Sequence, residues 1–413
     1  WAAFAACMVI FVFPLFLLGT VTPSLAKYSV DSLDDSGRIV GTLGAFNTIG
    51  SIIGTFVPTF ISIPAVGTSV TFLIFAGILF VLSFLYFISV KRGLRKCAVT
   101  AVLFILCCVF GNSNRFAFWE NDLTYEGESI YNYLQVKETD RNVILSTNVL
   151  FGVQSILIKG EGLTGMYYDY AMAAPLMTGQ ENPGDCSTLI LGMGTGTYAN
   201  QCRRYYGDMA VEGVEIDEKI TDLAREYFEL PADVKVTTYD GRAYLNAIED
   251  KYDVIMVDAY QDITIPFQMS SAEFFTLVKE HLTEDGVMVV NMNMRGSGED
   301  SINAYLADTI SSVFGEVYTV DVKGSTNREL FASNNPRMLE NLRAHREKIT
   351  DEGLYAMMGN VADRLVVYEA GTRIMTVELL GMQVIDELIQ GEVAVYKELY
   401  EKRGIRGVLD SLL

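Results

Sequence analysis

Hydrophobic and polar positions divide the chain in two. Trp1 to Ala26 carries no charge, Ile39 to Val90 carries none, and Cys97 to Asn114 adds 18 uncharged residues. Roughly 20 apolar residues cross a bilayer, so these runs have membrane length. Pro58 to Gly67 interrupts the middle run, which predicts two helices there and about four spans over 1–114. Gly50 and Gly54, in GxxxG spacing, would let a neighbouring helix approach closely, although chance explains the pair as well. The last run is short enough to be re-entrant or interfacial. The missing initiator Met and abrupt apolar start lead us to expect a region truncated at its N-terminus.

After residue 115 the pattern changes. SIYNYLQVKE (129–138), NVILS (142–146) and VQSILIK (153–159) alternate polar and apolar residues, which predicts a small antiparallel β subdomain over 115–165. From 187 onward short apolar strands alternate with amphipathic helical stretches. The strands are STLILGM, MAVEGVEI, VKVTTY, YDVIMVDA and GVMVVNMN; the helices include DEKITDLAREYF (217–228) and SAEFFTLVKEHL (271–282). This alternation predicts an α/β, Rossmann-like doubly wound sheet over 166–335, with helices on both faces. Residues 336–413 read as a helical extension without a chemical motif.

Charge sharpens the division. Of 31 basic and 51 acidic side chains, six and three fall in residues 1–112, leaving 25 basic against 48 acidic in the rest. Such a surface repels phosphate backbones, so nucleic acid is excluded as a partner, whereas polyamines and sulfonium compounds fit the field. A solvated acidic surface kept for solubility is the plainer account of the charge. The six cysteines show no CxxC spacing, and the two histidines, His281 and His345, have no ligand at metal spacing. No metal is expected, and chemistry that depends on histidine is improbable.

In LILGMGTGTYANQC (189–202), Gly192, Gly194 and Gly196 follow a strand and precede a helix, so the backbone can turn tightly and approach a ligand. Thr195 sits inside this loop. Glu215 ends the next strand about 20 residues on, where an acidic side chain can accept hydrogen bonds from ribose hydroxyls. Asp240 and Gly241, in TYDGRAYL, are placed to meet an adenine edge. These elements together indicate an adenosine-type ligand; a dinucleotide is less well matched, because Thr197 occupies the last position of GxGxxG. Asp258, in YDVIMVDAYQD, ends a strand at the crevice rim. It can accept a proton or hold a cation there, or simply cap the loop.

These residues resemble the spermidine synthases, or polyamine aminopropyltransferases. The likeness runs from Glu128 to Phe331 through ESIYNYLQV, VQS, MYYDYAMAAPLM, the glycine loop, VEID, YDG and VDAYQD. The apolar N-terminal part is similar to the transporter-like half of membrane-bound members. The resemblance implies transfer of the aminopropyl group of decarboxylated S-adenosylmethionine to putrescine, without a metal cofactor. It implies Asp258 as the group that binds and deprotonates the attacking amine, Glu215 on the ribose, Asp240 at adenine, and Tyr168 and Gln154 lining the site. Asp169, Tyr260 and Asp262 are expected beside the amine. The chain departs from the family pattern at Thr195, where an aspartate is usual, at Gln261, and at Asp169 and Asn132, where glutamines are usual.

Two alternatives share these signals: a methyltransferase using intact S-adenosylmethionine, and a non-catalytic nucleoside- or polyamine-binding domain attached to a transporter. Expected partners are a small amine and the lipid bilayer, with a homodimer left open. Lys91, Arg92, Arg95 and Lys96 place their loop in the cytoplasm. A span over 97–114 would then put the enzyme outside, against its cytosolic substrates. The expectation is a multi-pass protein of the cell membrane with a cytoplasmic catalytic domain, the loop charges leaving sidedness open.

Overall fold

The structure, a computed structural model, describes residues 2–30, 33–90, 93–111, 116–117, 119–147, 152–160, 162–259, 266–292 and 301–377. It divides into two compact units, Trp1–Asn114 and Arg115–Leu413.

The first unit is helical. Among the described residues two runs are long and apolar enough to cross a membrane, Phe4–Ser29 and Ser36–Val90. Their large apolar side chains, Phe16 and Phe72 among them, are exposed. The longer run is not one continuous helix. Pro58–Ser62 forms a wide helical turn rather than a break. The chain kinks at Gly67, within the interval where the sequence predicts the interruption, and its φ of 79° lies outside the helical region. Leu94–Phe110 is a 17-residue helix, roughly 25 Å long and short of the hydrocarbon thickness of a bilayer.

The second unit holds two sheets. The smaller is antiparallel, ordered β1 (Leu123–Glu128), β2 (Tyr133–Glu138), β3 (Asn142–Ser146), β4 (Ser155–Ile158). The larger contains β5 (Ser187–Leu191), β6 (Ala210–Glu215), β7 (Lys235–Thr238), β8 (Tyr252–Val257), β9 (Leu282–Met292), β10 (Glu316–Asp321), β11 (Arg328–Ser333) and β12 (Val366–Val367). Its order is β12-β10-β11-β9-β8-β5-β6-β7. Strands β7 to β9 pair in parallel through β6, β5 and β8, while β11, β10 and β12 add an antiparallel edge. All six residues of β8 are buried, as a strand covered on both faces requires. One face packs Met256, Val289 and Phe331 under the helices Tyr167–Ala171 and Ala173–Met177. The other packs Val257, Val290 and Leu330 against Ala272–Glu280 and Ile302–Ser311.

This winding fixes where a ligand can sit. Strand β5 lies between β6 and β8, so the connections leaving their carboxyl ends diverge and open a crevice. The small sheet closes one side of it. Leu134, Val136, Val143 and Leu145 pack on Ile220, Leu223 and Phe228, along and just beyond the helix Glu218–Tyr227. A polar tie reinforces that contact. Ser129 Oγ and Asn132 Nδ2 donate to Asp217 Oδ2 at 2.5 and 2.9 Å, while Asp217 Oδ1 caps the helix by accepting from Lys219 N. Asn132, expected only as a departure from the family pattern, is thus a structural link between the two sheets.

Because Asp217 serves both the cap and the tie, Asp217→Ala should cost about 2 kcal/mol. The loss is read as a lower urea midpoint for the full chain; an unchanged midpoint would show that the tie contributes nothing.

Candidate active site

A cavity of about 350 Å³ opens at the carboxyl ends of β5, β6 and β8. Its size suits a nucleoside-scale ligand. Gly192, Met193 and Gly194 form one wall, with Glu215, Asp240, Gly241, Asp258, Gln154, Tyr167 and Tyr168 around them.

The glycine loop is shaped by close approach. A Cβ on Gly192 would stand 2.5 Å from the Asp258 carbonyl oxygen and 2.7 Å from Ala259 Cα, and its φ is 88°. No other residue type fits, so the loop can lie directly on the end of β8. Gly194 N donates to Glu215 Oε2 at 2.8 Å, and Asp217 N donates to Oε1 at 3.1 Å. Glu215 therefore fastens the loop and keeps lone pairs free to face the cavity. Burial pushes its carboxyl up, and these backbone amides pull it back.

Asp240 caps the helix Gly241–Leu245: its Oδ1 accepts from Ala243 N at 2.8 Å, and Oδ2 accepts from Gln268 Nε2 at 3.4 Å. Asp240 and Gly241 both line the cavity. Tyr168 Oη donates to the Gln154 carbonyl at 3.1 Å, fixing both residues in the wall.

Asp258 is the most heavily constrained group. Tyr167 Oη donates to Oδ2 at 2.6 Å, and Asn291 Nδ2 donates to Oδ1 at 2.8 Å. Asn291 Oδ1 in turn accepts from Asn327 Nδ2 at 2.8 Å. Burial is the largest influence and raises the carboxyl; the two donors oppose it, the Glu215 charge adds to it, and the carboxyl settles at about 7. A carboxyl at that position is half ionised near neutrality and suited to accepting a proton. Chemically, the cavity offers two carboxyls, Glu215 and a neutral-range Asp258, and no fixed cation among its lining residues.

Three expected residues lie elsewhere in function or outside the described residues. Asp169 is buried and does not line the cavity; its carboxylate accepts from Thr164 N, Thr164 Oγ1 and Gly165 N, anchoring the turn before its own helix. A turn with three donors to satisfy outweighs a substrate role for that side chain. Tyr260 and Asp262 fall outside the described residues. Within the loop, Thr195 and Gly196 are buried behind the wall rather than lining it, Thr195 Oγ1 lying 3.5 Å from Thr197 Oγ1. Gly196 instead starts the helix Thr197–Tyr206, with a φ of 81°. Sequence reasoning missed Tyr167, Asn291 and Asn327. The available signal was a lone polar residue, Asn291, inside the buried run GVMVVNM.

Comparison with known proteins identifies relatives of this chain. Residues 167–321 match the spermine/spermidine synthase domain. The probable polyamine aminopropyl transferase of Bifidobacterium longum (strain NCC 2705) is 54% identical over 350 residues, which cover 79% of this chain and 78% of that protein. The polyamine aminopropyltransferase of Vibrio vulnificus (strain CMCP6) is 27% identical over 242 residues, 56% of this chain and 78% of that protein. A spermidine synthase structure from Thermotoga maritima superposes at a TM-score of 0.46 with 17% identity, covering 65% of this chain and 87% of that one. The identity and coverage shared with the Bifidobacterium longum protein show that this chain belongs to the polyamine aminopropyltransferases.

Proposed function

We propose that the cavity binds decarboxylated S-adenosylmethionine and transfers its aminopropyl group to putrescine or a related diamine, with Asp258 as the base. The observation that carries this reading is the Asp258 carboxyl, held between Tyr167 and Asn291 at about 7 on the rim of a nucleoside-sized cavity.

In the reaction, the amine nitrogen attacks the propyl carbon bonded to sulfur. A C–N bond forms, the C–S bond breaks, and the electron pair returns to sulfur to give neutral methylthioadenosine. The sulfonium is already a good leaving group, so the protein's share is alignment and proton removal. An ammonium with a pKa near 10 cannot attack until it loses a proton, and the ionised Asp258 accepts it. Glu215 would accept from the ribose hydroxyls while its contact with Gly194 N holds the loop in place. Asp240 and Gly241 would meet the adenine.

We also infer that the N-terminal unit seats the chain in a bilayer through its two apolar runs. The catalytic unit then works on the cytosolic side, where its nucleoside and amine substrates occur.

Asp258→Asn should abolish turnover while nucleoside affinity stays within several-fold; retained turnover would reject the base. In the wild type Asp258 loses its proton only as pH rises through about 7, so kcat/KM should fall as pH drops below that value. Tyr167→Phe removes a donor that favours the ionised carboxylate, and should move this limb upward by roughly one pH unit. Glu215→Gln should weaken methylthioadenosine binding, and an unaltered dissociation constant would contradict the ribose contact.

A further inference from the structure

A second acid lies two strands from Asp258, across Asn291, and has no role in the chemistry described so far. Glu329, on β11, is fully buried, and neither carboxyl oxygen has a hydrogen-bond partner among the described residues. Its place is fixed by register. Glu329 stands opposite Asn291 across the β11–β9 pair, and Val290 stands beside Val257 across the β9–β8 pair. The next residues along β9 and β8 are Asn291 and Asp258. These three side chains therefore form one row across three adjacent strands, on the face covered by the helix Tyr167–Ala171. Asn291 turns its amide hydrogen bonds to Asp258 and Asn327 within this row.

The row holds two carboxyls in low dielectric surroundings. Burial raises the Glu329 carboxyl well above the usual range, and the Asp258 charge raises it further. The other titratable groups acting on Asp258 are Tyr167, from the helix above, and Glu215, on β6. Arg364, from the helix Glu352–Arg364, is turned to Tyr170 Oη and the Asp321 carbonyl. No protein cation among those contacts compensates Glu329. A buried acid without a partner is costly and calls for an explanation in function. A positive charge in the cavity beside Asp258 supplies one, because an opposite charge favours the ionised form.

We propose that Glu329 is a second acid of this site, neutral while the cavity is empty and ionised, with its proton lost to solvent, when a cationic ligand lies against Asp258. This rests on the reading of the cavity as a site for a sulfonium nucleoside. Decarboxylated S-adenosylmethionine carries a sulfonium and an ammonium, whereas methylthioadenosine is neutral. Glu329 thus makes the cavity select the charged co-substrate over the neutral nucleoside product, on whose arrival the carboxyl takes a proton back.

Calorimetry of the full chain with each ligand, in buffers of different ionisation enthalpy at about pH 8.5, separates the two acids, because Asp258 is already ionised there. The wild type should release roughly one proton more with decarboxylated S-adenosylmethionine than with methylthioadenosine. Glu329→Gln should abolish that difference and weaken the cationic ligand about tenfold relative to the neutral one. Equal proton release for both ligands in the wild type overturns the proposal without any variant, as does a difference that survives in Glu329→Gln. Failure of the wild type to bind decarboxylated S-adenosylmethionine overturns the proposed function itself.

Discussion

The site depends on how one carboxylate is held. Asp258 ends a strand buried on both faces, where an ionised group is costly, and its two oxygens are met by Tyr167 and Asn291. Burial and hydrogen bonding push in opposite directions, and neither wins outright. The outcome is a group that is neither an ordinary surface acid nor a permanently protonated one. That balance is what the proposed amine-deprotonating role requires near neutrality.

The fold delivers the partners of this carboxylate from three directions. Strand β9 lies beside β8 and brings Asn291; β11 lies beside β9 and brings Asn327, so the donor chain runs across the sheet. Tyr167 descends from the helix that covers the same face. The glycine loop presses on the end of β8, with no room for a side chain at Gly192, and Glu215 pins the loop from the other side. The carboxylates of Glu215 and Asp258 therefore share one cavity because β5 separates their strands at the point where the winding reverses.

Much of this was legible in the chain. The central strands β5 and β8 announced themselves because they are buried on both faces and read as apolar runs. Gly192, Glu215 and Asp258 were legible because each ends such a run at a fixed offset. What escaped was whatever depends on packing between distant segments. Two adjacent tyrosines cannot be told apart by pattern, yet only helix phase decides that Tyr167 reaches Asp258 while Tyr168 reaches Gln154. Asp169 looked like a substrate contact but satisfies a local turn. Glu329 was invisible as a site residue because its meaning lies in register with Asn291, 38 positions away. In the membrane region the break expected near 58–67 is present, and only its position within that interval was hidden: the helix absorbs Pro58 in a wide turn and bends at Gly67.

The acidic field of the second unit and the carboxyl-rich cavity point to the same class of ligand, since both favour cations. The account stands or falls on the ionisation of one residue in the free protein. Carbon-13 NMR titration of protein labelled at the aspartate carboxyl carbons measures it directly. The account requires one aspartate resonance that titrates at about 7 and disappears in Asp258→Asn. If the resonance lost in that variant instead titrates near 4, with the ordinary aspartates, Asp258 is not held as described and the base is elsewhere.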